Sequence, residues 1–280
     1  MNTIQEQIKN LRMKSFTLKM EQKSQQKNLT EPVLKSQKDI MKSTAKTLTS
    51  TISTSKCKLC NDTGLIATSD NTYKPCICRQ QRKIKKQWDK FGVDLDKVKQ
   101  IKDYKITTDE TGEAKNLAVN YVKGFEDIKN KENNWLAFLG QAGSGKTHLV
   151  KAVGKALIEK GYVVRYISYV NWLKEAKRNA MSKDDYLKEF RNCEILIIDD
   201  LFKNIVIKGE LQNQLTSTDM NYIFDVLEQR YSNSLPTIIS SECTPNMLYN
   251  IDTSIGGRII ERCEMKIVFK KKESNYRQRF

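Results

Sequence analysis

Apolar side chains in this chain gather into short unbroken runs. Trp135-Leu136-Ala137-Phe138-Leu139, Tyr162 to Ser168, Ile195-Leu196-Ile197-Ile198 and Thr237-Ile238-Ile239-Ser240-Ser241 each set several apolar residues in succession between polar or turn residues. Such runs leave no face for water and read as strands buried on both sides, the mark of a parallel sheet. The segments between them keep a different period. His148 to Leu157, Tyr169 to Phe190 and Asp219 to Tyr231 read as helices, and Ile255 to Arg262 starts another. Strand and helix in alternation predict an α/β domain, a parallel sheet flanked by helices, over residues 106–280.

The front of the chain follows another pattern. Ile4, Ile8, Leu11, Phe16, Leu18 and Met20 recur at helical spacing, which predicts a helix in need of a partner. Residues 36–56 are rich in Ser, Thr and Lys and hold too few apolar side chains to offset the entropy of folding, so they read as linker or weak helix. The expected organisation is a helical and linker region at 1–55, a cysteine-bearing module with a basic connector at 56–105, and the α/β domain behind it.

Chemistry enters between the first strand and the first helix of that domain. Gly140-Gln141-Ala142-Gly143-Ser144-Gly145-Lys146-Thr147 fits G-x-x-x-x-G-K-[ST] in the strand-loop-helix setting that a phosphate loop requires. Without side chains at the glycines, backbone N–H groups can close on a β-phosphate at the positive end of a helix. Lys146 then reaches the β and γ oxygens, and the Thr147 hydroxyl sits on Mg²⁺. His148 follows on the first turn, where a packing role is favoured over catalysis.

The run Ile195 to Ile198 ends in Asp199-Asp200. In a doubly wound sheet ligands lie at the carboxyl ends of strands, which carries Asp199 to the loop to hold Mg²⁺, directly or through water. Asp200 would polarise the water that attacks the γ-phosphate of ATP. The next strand ends at Ser241-Glu242, either of which is placed to sense the γ-phosphate. Arg258 and Arg262 lie four residues apart on one helix face, and Arg258 in particular suits an arginine finger that completes a neighbouring subunit's site.

Four of the seven cysteines form C-x₂-C-x₁₅-C-x-C: Cys57, Cys60, Cys76 and Cys78. Four soft ligands with a turn at Asn61-Asp62-Thr63-Gly64 suit tetrahedral zinc, with a redox pair or an iron–sulfur cluster as the other readings. The second pair, with one intervening residue, is a less usual spacing. With little apolar sequence nearby, the metal would substitute for a core. Cys193, Cys243 and Cys263 fall in or beside core elements and read as buried side chains.

Charge is unevenly distributed. Of a formal net +16, residues 1–105 carry 23 Lys and Arg against 10 Asp and Glu. A basic front points to nucleic acid or an acidic protein partner, and also fits a solvated linker. On the helical segment after the second strand, Lys174, Lys177 and Arg178 can line one face and track single-stranded DNA, with Tyr169 and Trp172 near enough to stack on bases, or they form a solvated face. No apolar stretch approaches the roughly 18 residues of a membrane span, and the first 30 residues lack a signal-peptide core, so a cytoplasmic location without membrane contact is expected.

The order of these features resembles the AAA+ helicase loaders of the DnaC/DnaI type, including phage-encoded members, and the related IstB transposition ATPases. Most of the chain takes part, most specifically Gly140 to Thr147, Ile195 to Phe202, Pro236 to Leu248, Gly256 to Cys263 and the closing Asn275-Tyr276-Arg277. The cysteine module looks like the zinc-binding front of such loaders and favours them over an IstB-like transposition helper. The resemblance implies an ATPase, with ATP/ADP, Mg²⁺ and Zn²⁺. It would bind a hexameric replicative helicase, self-associate through its nucleotide sites and place the helicase on single-stranded DNA. Two departures bear on activity. Asp200 stands where most AAA+ ATPases carry Glu, implying slow turnover or a nucleotide-switched adaptor, and the sensor, often Asn in relatives, falls at Ser241 or Glu242. No arginine-bearing lid is evident after residue 272.

Overall fold

The computed structural model describes residues 57–278 apart from Asn71, residues 179–181, Asn204, Lys208, residues 213–214 and Lys271. The helical and linker expectations for residues 1–55 lie outside the described residues. A short antiparallel hairpin, β1 (Leu65–Ala67) and β2 (Tyr73–Pro75), leads into helix α1 (Ile77–Lys90). Helices α2 (Asp109–Lys123) and α3 (Phe125–Ile128) then precede the first sheet strand, β3 (Leu136–Gly140). Thr108 caps α2, taking the Thr111 N–H on its hydroxyl, which satisfies one of the free donors at a helix start.

From β3 the chain alternates as expected. Helix α4 (Lys146–Glu159) leads to β4 (Val164–Ser168), and α5 (Tyr169–Arg178) with α6 (Lys183–Arg191) leads to β5 (Ile195–Leu201). A small hairpin of β6 (Val206–Ile207) and β7 (Glu210–Leu211) precedes α7 (Ser217–Ser232) and β8 (Thr237–Ser241). Helices α8 (Pro245–Ile251) and α9 (Thr253–Arg262) connect to β9 (Met265–Phe269). The five long strands are all parallel, in the order β4-β5-β8-β3-β9. Every residue of β3 and β8 is buried, which is why their sequences read as apolar runs rather than alternations.

Three expectations change. The Tyr169 to Phe190 segment is two helices, α5 and α6. Strand β9 was not expected. It forms an edge, is only partly buried, and so carries Lys266 within an otherwise apolar pentapeptide. Finally, the packing does not change at residue 105. The described residues fall in one compact unit, and α1 lies against the free edge of β4. There the Gln87 amide donates to the Tyr166 carbonyl (2.6 Å) and accepts the Tyr166 N–H (2.9 Å), while the Trp88 indole donates to the Val164 carbonyl (3.0 Å). These side-chain bonds occupy backbone groups that an open sheet edge would leave exposed for pairing with another chain. Trp88 is fully buried, stacks on Tyr166 with ring centres 5.0 Å apart, and fills the space beside Gly154 where a Cβ would strike it.

Among the described residues no helix is long and apolar enough to cross a membrane.

Candidate nucleotide site and cysteine cluster

The phosphate loop is shaped by the elements around it. Gly140 (φ +91°), Gly143 (φ +77°) and Gly145 (φ +84°) occupy the left-handed region that favours glycine. A Cβ at Gly140 would strike the Phe269 carbonyl, and one at Gly143 the Asn275 amide. At Gly145 it would lie 2.7 Å from the Tyr104 ring. Tyr104 donates its hydroxyl to the Ser144 carbonyl (2.6 Å), and the Tyr276 N–H donates to the Gly143 carbonyl (3.0 Å). The loop is therefore braced from both sides before any ligand arrives. Tyr104, Asn275 and Tyr276 were not foreseen in this role. The signal was Asn275-Tyr276-Arg277 itself, a motif with no predicted element to carry it.

Lys146 is buried and donates to the carbonyls of Gly140 and Gln141, both at 2.7 Å. Burial pushes its ammonium down to about 8, opposed in part by the carboxylates of Glu242, Asp200 and Asp199. The Thr147 hydroxyl donates to Asp199 (3.0 Å), so the two oxygens expected on Mg²⁺ already meet. A hydroxyl and a carboxylate are hard oxygen donors of the kind Mg²⁺ takes, and the pair fits the ion. The His148 ring meets the Gln100 carbonyl at 3.0 Å and packs edge-on against Tyr104.

Asp199 is 3% exposed and, besides Thr147, is held by three further groups. Ser240 donates to it at 2.5 Å, Tyr166 at 2.7 Å, and Lys151 lies 3.9 Å away. Where β5 pairs with β8 the register shifts between Ile198 and Leu201, and Asp200 there takes φ +57°. Bulges of this kind re-aim side chains beside active sites. The Asp200 N–H turns to the Ser240 hydroxyl (2.9 Å), leaving its carboxylate beside Lys203 at 3.7 Å. Burial and then the adjacent Asp199 push the Asp200 carboxyl above the usual carboxylate range, with Lys203 acting against them.

The strand end brings a third group beside the two expected there. Ser241 is buried and donates to the Leu201 carbonyl (2.7 Å), a structural bond, and Glu242 pairs with Lys203. Ser240, which faces the opposite side of β8, is the serine that reaches the acidic pair. Run length alone gave no means of choosing between adjacent serines.

Arg258 bonds within its own chain, to Glu228 at 2.5 Å and the Ser254 carbonyl at 3.0 Å, with its guanidinium 5.3 Å from the Phe224 and Tyr231 ring centres. Arg262 is buried, donates to the Tyr231 carbonyl (2.9 Å) and lies over the Tyr231 ring. On α5, Lys174, Lys177 and Arg178 are exposed, and Lys177 pairs with Asp219. The expectation that Tyr169 and Trp172 stack on bases is overturned. They are 2% and 0% exposed, packed in the core where α5 meets the sheet.

The four cysteines converge. Their sulfurs all lie within 4.8 Å of one another, with Cys57 to Cys76 at 3.7 Å and Cys60 to Cys78 at 3.4 Å. A tetrahedron with Zn–S bonds of about 2.3 Å has edges of about 3.8 Å, so the cluster fits zinc. The Gly64 N–H (3.3 Å) and the Arg82 guanidinium (3.4 Å) donate to Cys60 and Cys78, the outer-shell bonds that temper thiolate charge. The one-residue spacing of the second pair works because Cys76 precedes α1 and Cys78 lies in its first turn. Cys193, Cys243 and Cys263 are buried in the main core, as expected.

A sequence model described as IstB-like ATP binding protein matches residues 72–275. The chain belongs to this family. It is 36% identical over 215 residues to the uncharacterized protein YqaM of Bacillus subtilis strain 168, covering 75% of this chain and 67% of that protein. It is 30% identical over 220 residues to the phage-like element PBSX protein XkdC of the same organism, covering 76% and 81%. A crystal structure of the DnaC helicase loader superposes with a TM-score of 0.52 at 21% identity, over 66% of this chain and 99% of that one. The domain is thus an α/β AAA+ P-loop domain of the IstB/DnaC type, with a four-cysteine module on its amino-terminal side.

Proposed function

We propose that this chain is an ATP-dependent helicase loader that binds a hexameric replicative helicase through its cysteine module and delivers it onto single-stranded DNA. The observation that carries the reading is the module. The family match begins at residue 72, so Cys57 and Cys60 precede the matched stretch. The module also offers a docking face. In the β1–β2 pairing Leu65 stands opposite Pro75 and Ala67 opposite Tyr73, so these four side chains share one face of the hairpin, and all four are exposed. Tyr73 is 70% exposed. A contiguous apolar face on a module with almost no core of its own is suited to a protein partner.

At the nucleotide site, Lys146 would bind the β- and γ-phosphates. Thr147 and Asp199 would hold Mg²⁺, which supplies charge neutralisation on the phosphate oxygens. Asp200 would take a proton from the attacking water, a role that its raised pKa favours. Arg258, freed from Glu228, would reach a neighbour's γ-phosphate when chains associate. Zinc in the four sulfurs would fix the hairpin.

The test is native mass measurement of complexes with a replicative helicase hexamer, with and without ATP. Wild type, Cys57→Ser/Cys60→Ser and Tyr73→Ala are compared. A complex with wild type that is lost in both variants supports docking by the module. The absence of any helicase complex, with ATP-dependent DNA binding retained, would favour an IstB-like transposition helper. That second reading draws on the family match itself.

A further inference from the structure

Helix α1 carries Arg79, Arg82, Lys83, Lys85, Lys86 and Lys90 against a single acid, Asp89. Three of the six cations have carboxylate partners: Arg82 with Asp62, Lys85 with Asp96, and Lys90 with Glu175. Among the described residues Arg79, Lys83 and Lys86 have none, and all three are exposed. At 100° per residue, Arg79, Lys83, Lys86 and Lys90 fall within about 60° of one another around the helix, a single file opposite the face that buries Ile84 and Trp88. The file runs about 16 Å. It continues past the helix end, because Lys90 shares an open cleft with Lys174 and Arg178 of α5, which among the described residues have no carboxylate partner, although Asp89 and Glu175 also line that cleft.

We infer that this file, from Arg79 along α1 to Lys174 and Arg178, is a track for the phosphate backbone of single-stranded DNA. Three features favour nucleic acid over an acidic protein. The spacing is regular, the cations are lysines and arginine rather than the aromatic and apolar anchors of a protein interface, and no apolar side chain is exposed along the file. A single file fits one backbone; α1 lies flat on the sheet edge through Gln87 and Trp88 and offers a duplex no protruding element for its groove. With no aromatic side chain free along it, the track would hold DNA without reading its sequence. The inference deepens the DNA arm of the loader reading, and its readout is independent of helicase capture.

The experiment is fluorescence anisotropy of the full chain with a labelled oligo-dT and with a duplex of the same length, from 50 to 300 mM salt. Wild type is compared with Arg79→Gln/Lys83→Gln/Lys86→Gln and with Lys83→Arg/Lys86→Arg. For single strands each lost phosphate contact lowers the slope of log K against log salt by about 0.7, so the triple variant should lose about 2 from the slope and about tenfold or more in affinity. The arginine variant should match wild type. Nucleotide binding and the thermal midpoint, measured on the same samples, should be unchanged, which separates the track from a folding defect. Unchanged slope and affinity in the triple variant would overturn the inference, as would a loss confined to duplex. Loss of helicase capture with DNA binding intact would reassign the file to the protein partner. Loss of DNA binding with helicase capture intact would leave the loader reading standing and support the track.

Discussion

The phosphate loop and the cysteine cluster are both ligand sites, and they are held in opposite ways. Around the loop, the Phe269 carbonyl, Asn275, Tyr104 and the buried strand β3 fix the backbone before any phosphate arrives. The four sulfurs have almost no such support. Among the described residues their only apolar neighbours are Ile66 and Ile77, and they form a cluster separate from the main core. In the first case a fold presents a site to a ligand, and in the second the ligand would be the core. Small modules that cannot bury enough apolar surface depend on such a substitute.

The sharpest way to break this contrast is to remove the ligand from each. Metal chelation should release one zinc per chain and abolish amide protection across residues 57–76, because structural zinc binding is worth roughly 10 kcal/mol or more to the fold it organises. Removing nucleotide should leave the loop protected. Hydrogen exchange on the same sample reads both, and a module that keeps its protection after chelation would show that packing holds it.

Helix α1 belongs to both regions, since Cys78 lies in its first turn and Trp88 near its end is fully buried against the sheet. If the sheet anchors it, Trp88→Ala should destabilise the main domain by about 3–5 kcal/mol in urea unfolding, the usual range for removing a large buried aromatic. Zinc content should stay at one per chain. Loss of zinc in that variant would mean instead that the sulfur cluster depends on the docked helix.

Legibility from sequence divides along the same line. Strands β3, β4, β5 and β8 and the loop were readable because burial on the sheet faces forces apolar runs and because phosphate binding demands glycines in fixed places. The cysteine cluster was readable from spacing. What was not readable depends on tertiary register. Ser240 and Ser241 are neighbours of one type, and only their opposite faces separate an active-site bond from a structural one. Trp172 and Tyr169 looked like stacking platforms because a basic helix hides which side it buries. Strand β9 was harder to read because its faces are only partly covered, so Lys266 interrupts the apolar run.

The acidic pair tests how far the loop's preorganisation extends to chemistry. Asp200 is held at positive φ beside Asp199 with its pKa raised, so the site keeps a partly buried carboxylate that the fold disfavours. Asp200→Asn should lower ATP turnover about 100-fold, the scale of a positioned base, while leaving ATP affinity within a few-fold. It should also raise the thermal midpoint at pH 8. For this group the folded pKa lies above the unfolded one, so ionisation costs the folded state increasingly as pH rises through it. A variant with unchanged turnover would leave a nucleotide-switched adaptor as the better description of the site.

The smallest effect is a proton. Lys146 in the free protein is pushed down to about 8 by burial, and bound phosphates would restore its charge. Nucleotide binding should therefore take up about half a proton at pH 8 and little at pH 7. Affinity should then fall toward tenfold per pH unit above 8. The same shift sets the sign for stability. With a folded pKa below the unfolded 10.5, the ammonium weakens the free protein as pH drops from about 10.5 to 8, and the penalty is constant below that. Calorimetric titration in two buffers of different ionisation enthalpy measures the proton directly, and Lys146→Ala cannot be used because it removes the binding. Buffer-independent heats at pH 8 would mean that the loop opens Lys146 to water before nucleotide arrives, and the site would then resemble the cysteine cluster, shaped by its ligand, more than the braced loop described above.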